Sequence, residues 1–115
     1  MSRKSHSRTR AGHASRAVLF AALGDETRLE LVARLISGEP VSIVQLTAGS
    51  PLTRQAVTKH LRVLEDAGLV HSNRAGRENR FSLDLRPVHA MQRYLDRVSS
   101  QWDQTLARLK AFVED

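Results

Sequence analysis

Thr53-Arg54-Gln55-Ala56-Val57-Thr58-Lys59-His60-Leu61-Arg62-Val63-Leu64-Glu65-Asp66-Ala67-Gly68-Leu69-Val70 carries two patterns at once. At helical spacing Val57, Leu61 and Leu64 form one stripe, the i, i+4, i+7 signature of a helix packed on a core. Arg54, Thr58 and Arg62 form a second row with Gln55 and Lys59 beside it, and no acid appears before Glu65. Arg and Lys can hold phosphate or guanine, Gln can pair with adenine, and a Thr methyl can pack on thymine. A helix apolar on one side and cationic on the other therefore suits the major groove of double-stranded DNA. Gly68 ends it, because glycine takes the left-handed C′ conformation without steric cost.

Upstream, Gly49-Ser50-Pro51 makes a turn, preceded by a short helix over Ser42 to Ala48 with Ile43, Val44 and Leu46 apolar. Short helix, tight turn and second helix with a basic face make a helix-turn-helix. Gly38-Glu39-Pro40 is a stop signal for an earlier helix running from Glu26 to about Ser37. Asp25 is placed to cap that helix, with Leu29, Val32, Ala33 and Ile36 inward and Leu31 and Leu35 widening the stripe. A first helix over Ser15 to Leu23 puts Val18, Leu19, Ala22 and Leu23 on one face, and Gly24 breaks it. Residues 1 to 14 hold almost nothing apolar and cannot order themselves by burial. They read either as a basic arm adding non-specific DNA affinity or as a solvated tail. The remaining residues, 15 to 115, form one domain.

Downstream the period changes. Leu69 to Arg74 and Asn79 to Leu85 alternate, with Phe81, Leu83 and Leu85 on one side. Ala75-Gly76-Arg77-Glu78 between them reads as a hairpin tip. Arg74, Arg77 and Arg80 cluster there, where a β wing would meet the DNA backbone or minor groove. Pro87 suits the first turn of a last helix reaching to about Val113. Its apolar positions Val88, Met91, Leu95, Val98, Trp102, Leu109 and Phe112, with Thr105 at the one missing step, follow 3-4 spacing. Tyr94, Leu106 and Val113 broaden the seam. At ~1.5 Å per residue the helix spans roughly 40 Å, more than so small a domain can cover. Its excess apolar face is expected to pair with a second copy.

The bulk numbers agree. At 115 residues, 41% hydrophobic, the chain is one domain with a modest core. Its five aromatics leave that core mostly aliphatic, which fits packed helices better than a β-sandwich. The expected fold is mainly α with a small β hairpin. The net charge of +6 is localised: Arg3, Lys4, Arg8, Arg10 and Arg16 precede the first acid, Asp25. A second excess, +3, lies between Thr53 and Arg80. Localised positive charge fits a polyanion partner. The chain has no cysteine, which removes disulfides, thiolate metal sites and cysteine nucleophiles. No apolar run approaches membrane-spanning length and no signal h-region follows the basic start, so the cytoplasm is the expected compartment. No nucleophile elbow or phosphate loop is present, so no enzymatic activity and no cofactor are expected.

These residues resemble the ArsR-type family of bacterial winged helix-turn-helix regulators. Leu23-Gly24-Asp25-Glu26-Thr27-Arg28-Leu29 is similar to the family's opening motif. Thr53 to Leu61 with Leu64, Ala67, Gly68, Leu69 and Val70 is similar to its recognition-helix signature, and Gly76-Arg77 with Phe81-Ser82-Leu83 to its wing. The resemblance covers Arg16 to the end. It implies a homodimer built on the first and last helices, which adds Val18 and Leu19 to the interface. It also implies a repressor that occludes a promoter, with Thr53, Arg54, Gln55, Thr58, Lys59 and His60 facing DNA and Arg77 in the wing.

The family's metal sensors use paired cysteines, absent here, or an Asp-x-His pair with further ligands in the last helix. Asp84 and His89 alone stand near that second site, four residues intervene between them, and no histidine follows. No metal site is therefore expected. His60 reads as a phosphate donor or a packing residue, and His71 has no evident partner. An effector, if one acts, would be a small organic molecule or a protein. The competing reading is a protein-interaction module built on the last helix, which leaves the joint exposure of Arg54, Gln55, Thr58 and Lys59 unexplained.

Overall fold

Asp25 Oδ2 accepts the Arg28 backbone N–H at 3.1 Å, and from that cap runs α2 (Glu26–Arg34). The structure, a computed structural model, describes residues 16–114, so the basic arm expected over 1–14 lies outside the described residues. Residues 16–23 are helical (α1). After α2 come β1 (Val41–Ser42), α3 (Ile43–Thr47), α4 (Arg54–Asp66), β2 (Val70–Ala75), β3 (Glu78–Leu83) and α5 (Leu85–Glu114).

α2 ties its neighbours together through its two arginines. The Arg28 guanidinium donates to the carbonyls of Ala21 and Ala22 at the end of α1. Arg34 donates to the carbonyls of Leu46 at 2.6 Å and Gln45 at 2.7 Å near the end of α3. Both occupy carbonyls that a helix C-terminus leaves without intrahelical partners. The inward face of α2 differs from the expected one. Leu31 and Leu35 are buried, whereas Leu29 and Ile36 are 51% and 67% exposed and Ala33 is exposed too. At 100° per residue Leu31 and Leu35 share a face with Thr27 and Arg28, Val32 stands at its edge, and Leu29 and Ile36 lie roughly 100–160° from the two leucines.

The hairpin is part of a three-stranded antiparallel sheet in the order β1-β3-β2. The added strand, β1, pairs Val41 with Phe81 and Ser42 with Arg80. Ser42 then caps α3 in a reciprocal box: its Oγ accepts the Gln45 N–H at 3.2 Å, and Gln45 Oε1 accepts the Ser42 N–H at 3.0 Å. The short helix thus starts at Ile43, one residue later than its spacing predicted. β3 stops at Leu83, so Leu85 opens α5 and is half exposed rather than on the strand's inner side.

Leu35, Leu46, Val57, Leu61, Leu64, Leu69 and Val70 are fully buried and join α2, α3, α4 and β2. Each buried side chain of this size contributes roughly 1.5–3 kcal/mol. Leu19 and Ala22 of α1 and Met91 of α5 close the same cluster from the other side.

Candidate nucleic-acid interface

α4 is positioned at both ends by its own sequence. Thr53 Oγ1 accepts the Ala56 N–H at 3.1 Å as the N-cap. At the other end Gly68 has φ +84°, Gly68 N–H reaches the Glu65 carbonyl at 2.9 Å, and Leu69 N–H reaches the Leu64 carbonyl at 3.0 Å. These are the two bonds of a Schellman motif, with Leu64 and Leu69 both buried beneath it. Val57, Leu61 and Leu64 pin one face to the core. Arg54, Gln55, Thr58, Lys59 and Arg62 together line a single surface depression on another face. Thr58 Oγ1 donates to the Arg54 carbonyl at 2.7 Å, which fixes the orientation of its methyl group. Among the described residues no carboxylate pairs with Arg54, Lys59 or Arg62. Glu65, the nearest acid in sequence, is engaged elsewhere, accepting the Ser72 hydroxyl at 2.6 Å.

His60 departs from this surface. Its side chain is 25% exposed, and Nδ1 lies 3.7 Å from Asp25 Oδ2 and 3.4 Å from Arg28 Nη1. It joins α4 to the start of α2, which matches the packing alternative read for it and sets it apart from the row that the family resemblance turns to DNA. His60 lies about 100° around the helix from Lys59, far enough to move it to the α2 side. The Asp25 carboxyl there is held below its ordinary pKa, first by the Arg28 backbone N–H and then by the charges of Arg28 and His60.

The wing corrects a second expectation. Arg74 stands opposite Asn79 and Arg80 opposite Asn73. Directly opposed residues share a sheet face and successive residues alternate, so Arg74 and Arg80 lie on opposite faces rather than in one cluster. Arg80 is also paired with Glu78 at 3.2 Å. Arg77 stands at the two-residue tip beside Gly76, whose φ of +64° makes the tight reversal possible.

The proposed dimer residues divide. Val18, Leu95, Trp102, Leu109 and Phe112 are exposed, Phe112 by 81%, and Val88 and Val98 are half-buried. Leu19 and Met91 are buried in the chain's own core, a correction to their expected place on the dimer face. Both sit where α1 and α5 pack on the domain.

One junction escaped the sequence reading. Asp84 Oδ1 accepts the Arg86 backbone N–H at 3.0 Å and caps α5. Asp84 Oδ2 meets Arg86 Nη2 and His71 Nε2, each at 2.7 Å. The Arg86 guanidinium, then the His71 imidazole, holds the Asp84 carboxyl well below the usual carboxylate range. An aspartate directly before an apolar helical run was the available signal. The aspartate that stood nearest a metal-site position is thus a cap linking β2 to α5.

A helix-turn-helix domain family matches residues 23–73. The HTH-type transcriptional regulator Rv2034 of Mycobacterium tuberculosis is 40% identical over 95 residues, covering 83% of this chain and 85% of that protein. The uncharacterized HTH-type transcriptional regulator YuzN of Bacillus subtilis is 43% identical over 65 residues, covering 51% of this chain and 71% of its own length. Among solved structures, an ArsR-like transcriptional regulator from Rhodococcus sp. RHA1 superposes with a TM-score of 0.73 at 38% identity, covering 89% of this chain and 95% of that one. A capped recognition helix, a three-stranded wing and these relatives lead to one assignment: the chain belongs to the ArsR-type family of winged helix-turn-helix transcriptional regulators.

Proposed function

We propose that this DNA-binding regulator is a homodimeric repressor that occludes a promoter and does not sense metal. The observation that carries the DNA contact is the face of α4. Arg54, Gln55, Thr58, Lys59 and Arg62 are gathered on one surface with no acid paired to its cations among the described residues. Arg54 and Gln55 at the N-terminal turn are placed to read bases, since the first residues of a recognition helix enter the groove. Lys59, Arg62 and the wing-tip Arg77 are assigned to phosphate. Thr53 spends its acceptor on the helix cap and keeps its hydroxyl proton for phosphate.

Support for the dimer comes from the apolar side chains along the last half of α5: Trp102, Leu106, Leu109, Phe112 and Val113 are all more than half exposed. A patch of this kind on a DNA-binding domain fits an isologous pair reading two half-sites. The metal-independent reading rests on residue chemistry. The chain has no cysteine, Asp84 is committed to Arg86 and His71, and no three potential ligands come together among the described residues. The cytoplasm is the compartment such a role requires, and no helix of the described residues is long and apolar enough to cross a membrane.

The test is a salt titration of binding to DNA from upstream of the protein's own gene against scrambled DNA of equal length. Tight, upstream-selective binding that weakens steeply with salt is expected. Equal, weak binding to both sequences would count against the reading and favour an interaction module built on α5.

A further inference from the structure

Arg16 of α1 and Arg86, Arg93 and Arg97 of α5 line one cavity of about 440 Å³, together with the buried Leu19 and Met91. That volume falls within the ~300–1,000 Å³ usual for small-molecule sites. The two helices meet there through Phe20 and Tyr94, whose ring centroids are 6.0 Å apart. The Tyr94 ring also steadies two of the arginines: the guanidinium carbons of Arg16 and Arg97 lie 4.3 Å and 5.9 Å from its centroid. Of the four, only Arg86 is ion-paired among the described residues, to Asp84. The other three like charges around one cavity repel, and an entering anion relieves that repulsion. Guanidinium forks match a carboxylate in bidentate geometry, while Pro87, Ala90 and the arginine stems offer the same ligand an apolar surface over the buried Leu19 and Met91.

The geometry points to a binding site for an amphipathic organic anion, a carboxylate on an apolar body, at the α1–α5 junction. A DNA phosphodiester would engage the arginines and leave the accessible apolar lining at Pro87 and Ala90 uncovered. At 100° per residue Arg93 and Arg97 lie roughly 140–200° around α5 from Leu95 and Trp102, so the arginine row faces away from these two exposed seam positions.

Arg86 gives the site a route to the wing. A ligand carboxylate on its guanidinium competes with Asp84, the same carboxylate that meets His71 of β2 at 2.7 Å. Occupancy therefore alters the link between α5 and the hairpin. This last step rests on the regulator reading; the site itself does not.

The test titrates the full chain calorimetrically with decanoate, with decanol as the same tail without charge, and with acetate as the charge without the tail. Saturable decanoate binding is expected, about tenfold or more tighter than either control. The Arg93→Gln/Arg97→Gln variant, altered only at exposed positions, should weaken decanoate by a similar factor with an unchanged melting temperature. Equal binding of decanol, unchanged affinity in the variant, or no saturable binding would overturn the site. The variant's DNA affinity without decanoate should match wild type, and a loss there would reassign the arginines to DNA phosphate and overturn the proposal. Decanoate that binds without changing DNA affinity overturns the Arg86 route alone. If the chain bound no DNA, the regulator reading would fall while the decanoate titration still decided the site.

Discussion

The Asp84 side chain is only 9% exposed, and its two oxygens serve the α5 cap, the Arg86 guanidinium and the His71 ring. Arg86 first and His71 second depress its pKa in the folded chain. An unfolded aspartate titrates at about 3.9, so the stability that this carboxylate lends is fully present above that pH. It is lost as pH falls below it, toward the depressed folded value. Asp84→Asn keeps a good capping residue and removes the charge. Its stability should therefore fall less than wild type between pH 5 and 2, read as chemical denaturation midpoints across that range. Parallel acid limbs for the two proteins would show that the charge at Asp84 contributes nothing.

Among the elements, the wing carries the cleanest separation of roles. Arg77 stands at its tip, while Arg80 is ion-paired to Glu78. Arg77→Ala is expected to weaken binding to all DNA sequences alike and to lower the slope of log affinity against log salt by about 1, one phosphate contact. Arg80→Ala should change the slope less, because Glu78 already offsets its charge. A wing that left the slope untouched in both variants would not touch DNA. The helices around it were legible because each advertised itself twice, by period and by a boundary residue: Asp25 for α2 and Gly68 for α4, whereas the Thr53 cap was not read. β1 was not, since two residues show no alternation and its pairing with Phe81 is non-local. The inner face of α2 was misread because Leu29, Leu31, Val32, Leu35 and Ile36 surround much of the helix, and periodicity cannot choose between adjacent stripes. His60 sat one step from the DNA row, and only the position of α2 shows which side it joins.

At the scale of the molecule, α5 reaches well beyond what its own domain covers. Its 30 residues extend about 45 Å at ~1.5 Å per residue. The radius of gyration is 18.4 Å, against ~13 Å for a compact 100-residue domain. The uncovered part holds Trp102, Leu109 and Phe112, and a second chain is the proposed cover. Trp102→Glu should convert a dimer to a monomer in sedimentation velocity and weaken DNA binding about tenfold or more, because two linked half-sites become independent. A wild-type chain that sediments as a monomer at micromolar concentration would contradict the dimer. The exposed apolar stripe of α5 was readable from its 3-4 spacing, whereas the burial of Leu19 and Met91 within the chain required the packing of α1 on α5 to be seen.

Whether α4 reads base sequence is decided by selection from a random DNA pool. Wild type, Arg54→Ala and Gln55→Ala should be carried through the same selection. Wild type is expected to enrich one defined motif arranged as an inverted repeat. Each variant should lose preference at the positions its missing side chain contacts, a cost of about 1–3 kcal/mol at the selected site. Enrichment of the same motif with the same stringency by all three proteins would contradict the assignment of α4 to the major groove.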